Sequence, residues 1–226
     1  MRRILTNALM LGAVLGGPSV AAAQSRNLLA EMQGYATALG VACEHCHTAP
    51  AGSAEPQPKK DIARQMIAMT RDLNTRVQLA TGKPPNEATR VECATCHRGV
   101  TIPKPLGQVI AQTLQQRGFE AAEAQYRDLR ARYFGRASYD FTEDELVNIA
   151  RPLTSLRPDE AIRLLELNIE FNPRSAKSYA LMGFAYTRKF DDESAIASLE
   201  KAVELEPENG EFQGQLTQLK MFRRKR

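Results

Sequence analysis

Across 226 residues, 30 Lys and Arg stand against 26 Asp and Glu, a net charge of +4. So even a balance gives no sign of nucleic-acid binding. All three histidines lie inside cysteine motifs, which leaves none for a Ser-His-Asp arrangement elsewhere.

Arg2 and Arg3 form a short basic start, and residues 4–20 are mainly apolar but broken by Gly16-Gly17-Pro18. Ala21-Ala22-Ala23 then offers a small-residue cleavage site. The pattern predicts a secretory signal over residues 1–23, removed near Ala23, and hence a periplasmic protein. The apolar run is short and interrupted for a span of about 20 residues. An uncleaved anchor, giving a membrane-associated form, is the alternative.

From Gln24 to Gly107, Leu, Ile and Val fill 13 of 84 positions and Tyr35 is the one aromatic residue. That is below what a chain normally needs to build its own core. Residues 27–40 place Leu28, Met32, Tyr35, Ala36 and Leu39 on one stripe, predicting an amphipathic helix with methionine on the buried side. Residues 48–60, rich in Ala and Pro, read as a loop. Residues 61–80 repeat the helical stripe with Ile62, Met66, Met69, Leu73 and Val77.

Each helix precedes a Cys-x-x-Cys-His run, Cys43-Glu44-His45-Cys46-His47 and Cys93-Ala94-Thr95-Cys96-His97, and these use all four cysteines. The pattern suits covalent haem attachment. Cys43, Cys46, Cys93 and Cys96 would add across haem vinyl groups as thioethers, and His47 and His97 would sit under the iron as proximal ligands. Two covalently bound haem c groups are expected, and they would supply the missing interior. A four-thiolate zinc site usually separates its pairs by about 12 to 20 residues, far fewer than here. A redox dithiol at Cys43–Cys46, with His45 stabilising a thiolate, is a further alternative. Disulfides in an exported apo form are another.

His45 is too close to its own motif to reach the opposite haem face and reads as a solvated spacer. With no other histidine, methionine becomes the leading sixth ligand, and Met/His ligation raises the potential relative to bis-His.

Leu39-Gly40-Val41 before Cys43, the run Ala63 to Asn74, and Val91-Glu92-Cys93 through Arg98-Gly99 resemble the cytochrome c subunit of photosynthetic reaction centres and its shorter relatives. The resemblance covers about residues 27–105. It implies haem units made of a helix carrying the axial methionine, a turn, and a helix carrying the attachment motif. Met32 then looks like the sixth ligand of the first haem and Met66 that of the second, with Met69 in reserve. The large subunit of that family typically has four haems, one of them with a distant histidine that this sequence lacks. Photosynthetic and respiratory electron chains both remain open to a two-haem relative.

All eight Phe and the other five Tyr lie beyond residue 107, so residues 108–226 can pack unaided. Pro173 and Pro207 are 34 residues apart, the tetratricopeptide period. Tyr179, Met182, Gly183, Tyr186, Ala195, Leu199 and Ala202 match that repeat's offsets. Residues 142–173 match less faithfully through Ala161 and Leu165, residues 108–134 form a degenerate hairpin broken at Gly118, and residues 209–222 form a closing helix. The basic end from Lys220 to Arg226 suits an acidic partner or an anionic surface, or a solvated terminus.

The expectation is thus all-α: a haem-organised two-haem cytochrome c domain over 24–107, followed by a short tetratricopeptide-like α-solenoid over 108–226. Its expected work is electron transfer, not enzymatic catalysis, between a redox protein donor and acceptor that include a membrane-bound electron-transfer complex. The repeats would dock a protein partner or buttress the haem domain. Competing readings are a haem enzyme of peroxidase or nitrogen-oxide reductase type with one open iron, and an assembly scaffold.

Overall fold

The computed structural model describes residues 20–49 and 55–223, with side chains from residue 27 onward. Those residues form ten α-helices and one 3-10 turn, and no strand. None of the described helices is long and apolar enough to cross a membrane. The expected signal lies mostly outside the described residues, and Ala21–Ala23 fall in the first turns of α1.

The chain divides into two compact units, Met1–Thr101 and Ile102–Arg226. The first contains α1 (Val20–Leu39), the 3-10 turn (Cys43–His45), α2 (Pro58–Thr81) and α3 (Cys93–His97). Pro58 occupies the first turn of α2, where its missing N–H costs nothing, and Gly82 ends the helix in the left-handed region. Buried apolar residues among those described in this unit are only Ala38, Ala88 and Val100.

The second unit contains α4 (Leu106–Arg117), α5 (Phe119–Tyr133), α6 (Glu143–Leu156), α7 (Pro158–Phe171), α8 (Ala176–Arg188), α9 (Asp192–Leu205) and α10 (Gly210–Arg223). Connections of one to nine residues fold successive helices back on each other, so α4 packs on α5, α6 on α7, α8 on α9 and α10 on α9. The pairs also stack, α4 against α6 and α6 against α8. Leu106, Ile110, Tyr126, Leu146, Leu164 and Leu165 are buried in a continuous core, which Tyr126 extends by edge and tilted contacts to Phe141 and Phe171. Three buried polar residues pair with one another: Asn168 Nδ2 donates to Ser178 Oγ at 2.8 Å, and Ser175 Oγ lies 2.9 Å from the same hydroxyl.

Small residues set the spacing of α8 and α9. A Cβ on Gly183 would lie 2.7 Å from Leu199 Cγ and 3.1 Å from the Ala195 carbonyl oxygen. Gly183→Ala gains about 1 kcal/mol of helix propensity but overpacks this contact by about 1–3 kcal/mol. The expected result is a net loss of stability in the second unit, read as a lower denaturant midpoint with unchanged slope.

Candidate functional site

The first attachment motif begins just beyond α1. Gly40 ends that helix with φ +64°, and three residues later Cys43 opens the 3-10 turn. The second motif is α3 itself, one and a half turns long. Its start is fixed by a reciprocal cap, in which the Glu92 side chain accepts from the Thr95 N–H and Thr95 Oγ1 accepts from the Glu92 N–H at 3.0 Å. Arg98 and Gly99, both at positive φ, turn the chain away after His97.

The two motifs meet through their flanking backbone. Gly99 N–H donates to the Ala38 carbonyl at 2.8 Å. A Cβ on Gly40 would stand 2.1 Å from the Gly99 oxygen, an approach only glycine tolerates. Buried Ala38 and Val100 flank this contact. Since Cys43 follows Gly40 by three residues and Cys96 precedes Gly99 by three, chain reach holds the motifs within roughly 25 Å.

Helix α3 has α1, the Met32 helix, as its main packing partner. Helix α2 closes a cavity of about 360 Å³ with them, lined by Tyr35, Ile67, Arg71, Asn74, Arg90 and Cys93. Burial, followed by a hydrogen bond to Glu31, pushes the Tyr35 hydroxyl up to about 12.

His97 Nδ1 lies 3.0 Å from the Val100 carbonyl. A carbonyl can only accept, so Nδ1 carries the proton and Nε2 is the nitrogen left for a metal. His47 is exposed, while His45 is half-buried with Nδ1 3.5 Å from Lys59 Nζ. That contact refines the spacer reading, because His45 reaches the start of α2.

All four thiols are free, Cys43 and Cys96 exposed and Cys46 and Cys93 half-buried. No group of three or more His, Cys, Asp or Glu gathers at metal-holding distance among the described residues. Burial raises the Cys93 pKa, which disfavours its own thiolate.

The methionines required a correction. The helical stripes were expected to be packed, but Met32, Met66 and Met69 are 41%, 41% and 48% exposed, and Ile62 and Leu73 beside them are open as well. Helix α2 instead turns Ala63, Ile67, Thr70 and Asn74 inward, and no residue of it is fully buried. The cause is the poverty of large side chains in this unit, which leaves nothing to cover the neighbouring stripe. Imidazole, thioether and thiol donors beside open apolar stripes fit a large flat apolar group such as haem.

The pattern of the photosynthetic reaction centre cytochrome C subunit family matches residues 13–180. The chain belongs to this family. Membership places the chain among the cytochrome c subunits by sequence. The match runs beyond the expected 27–105 and into α8, so helices α4 to α7 also fall within the family's range. Cytochrome c-554 of Chloroflexus aurantiacus is 37% identical over 67 residues, 29% of this chain. The chain spans only 16% of the length of that curated relative.

The sequence places Gly40, Gly99 and Asn74 within the stretches that resemble the family but shows no role for them at the site. Gly40 and Gly99 carried a signal, as glycines beside each motif, but their pairing is non-local.

Proposed function

We propose that the protein is a periplasmic two-haem cytochrome c that passes electrons between a redox donor and acceptor. The observation that carries this reading is the Gly40–Gly99 junction, which brings both Cys-x-x-Cys-His motifs to one small unit beside two methionine-bearing helices. Cys43, Cys46 and His47 would hold one haem and Cys93, Cys96 and His97 the other, with Met32 and Met66 as sixth ligands and Met69 as reserve. The bound haem supplies reversible one-electron chemistry at iron. The chain's own part is to fix His97 in one tautomer through Val100, to cover the haem faces with the Leu28–Met32 and Met66–Leu73 stripes, and to keep the two groups close.

The signal pattern over residues 1–23 supports the periplasmic address, since covalent haem attachment takes place outside the cytoplasm. The stacked helix pairs of the second unit support a tetratricopeptide-like module. Its cleft of about 520 Å³, lined among others by Arg151, Lys177, Phe184, Asn209 and Phe212, supports a role in docking a protein partner. The membrane-bound complex of an electron-transfer chain is the partner class this arrangement suits.

An optical spectrum with haem counted per chain tests the reading, using protein from a host competent in cytochrome c maturation. Two haems, a weak near-infrared sulfur-to-iron band and no carbon monoxide shift after reduction are expected. Rapid carbon monoxide binding at one haem would move the assignment to an enzyme with an open iron. A chain without covalent haem would overturn it.

A further inference from the structure

Asn74 lies two turns beyond Met66 on α2 and reaches out to the extended segment that leads into α3. Its Oδ1 accepts from the Val91 N–H at 2.8 Å, and its Nδ2 donates to the Val91 carbonyl at 2.8 Å. One carboxamide thus satisfies both main-chain groups of a single residue, as a neighbouring strand would. The second Nδ2 hydrogen goes to the Thr70 carbonyl at 2.9 Å, which fixes the amide from the helix side. The Thr70 hydroxyl donates in turn to the Met66 carbonyl at 2.8 Å. Val91 is two residues before Cys93, and the intervening Glu92 is the cap of α3.

Because α3 leans mainly on α1, the relation between α2 and the second motif depends on other ties. We infer that Asn74 is a positioning residue that fixes α2, the helix carrying Met66 and Met69, relative to the Cys93–His97 motif through its paired bonds to Val91. The inference rests on the reading that this motif holds haem and that α2 supplies a methionine ligand. An exposed helix position has no need of an asparagine, which is a poorer helix former than lysine or glutamine. Here the residue is half-buried and three of its four hydrogen-bonding capacities are used.

The test is made on the full haem-loaded chain with Asn74→Ala and Asn74→Leu, the leucine keeping the side-chain volume while removing both bonds. Wild type is measured first. If it lacks covalent haem or the sulfur-to-iron band, the underlying reading fails, and the inference with it. Otherwise, both variants are expected to keep two haems, to lose most of the near-infrared band at one haem only, and to bind carbon monoxide at that haem about tenfold more readily. Variants that match wild type would overturn the inference and leave the haem reading intact. Leucine matching wild type while alanine does not would also overturn it, since packing and not hydrogen bonding would then be responsible. Should neither variant accumulate, hydrogen exchange on wild type decides: a Val91 amide protected as well as the α2 amides supports the clamp, and free exchange overturns it.

Discussion

Replacing Gly40 with alanine is expected to disconnect α1 from α3 and to destabilise the haem-bearing unit more than any other single methyl group added to it. Two costs combine. The left-handed backbone at φ +64° costs a residue with a Cβ roughly 1–2 kcal/mol. The new Cβ would also fall 2.1 Å from the Gly99 oxygen. Both colliding groups are fixed to main chain, so no rotamer change relieves the clash, and separation would sacrifice the Gly99–Ala38 hydrogen bond with it. A total loss of about 3–5 kcal/mol is expected, at the upper end for single substitutions. Denaturant melts of the haem-loaded protein followed in the haem absorbance measure it. Gly34→Ala is the control, because Gly34 lies within α1 with nothing near its would-be Cβ. That change should be neutral or stabilising by up to about 1 kcal/mol. Equal effects at the two positions would mean that the junction does not hold the unit together.

The attachment motifs are legible because haem chemistry demands fixed local spacing, and the second unit's helices because their apolar periodicity is strong. Gly118 separates α4 from α5, and Gly183 meets α9 closely, as the sequence pattern implies. What connects the motifs was not legible. Gly40 and Gly99 are 59 residues apart and meet through backbone atoms, which leave no side-chain pattern to read. Asn74 looks like one more polar position on a helix until Val91 is seen beside it. The methionine stripes were legible as apolar periodicity, but periodicity reports that a face is to be covered and not what covers it. Helix α1 begins at Val20, earlier than the predicted 27, because the alanine-rich stretch read as a cleavage site is also a strong helix former.

Those open stripes lead to the last prediction, the loss of structure in the first unit when haem cannot be attached. Substituting all four cysteines by serine is expected to leave residues 27–101 without a stable fold while residues 106–212 keep theirs. In the first unit, fully buried apolar side chains among the described residues amount to two alanines and a valine. Ordering each residue's backbone costs about 1–2 kcal/mol, and a fully buried large apolar side chain returns only about 1.5–3 kcal/mol. Leu28, Met32, Ile62, Met66, Met69 and Leu73 bring in little of that while they stand 36–56% exposed. Covered by two haems, they would contribute most of the missing amount. The second unit differs, since its buried Leu, Ile, Tyr and Phe form their own continuous core. Hydrogen exchange on the full serine-substituted chain reads both units in one experiment: amides of α1 and α2 should exchange without protection, and those of α4 to α9 should remain slow. If α1 and α2 stayed protected, the glycine junction and the Asn74 bonds alone would suffice to order them. The stripes would then be open surfaces of a prefolded unit, waiting for haem but not made by it.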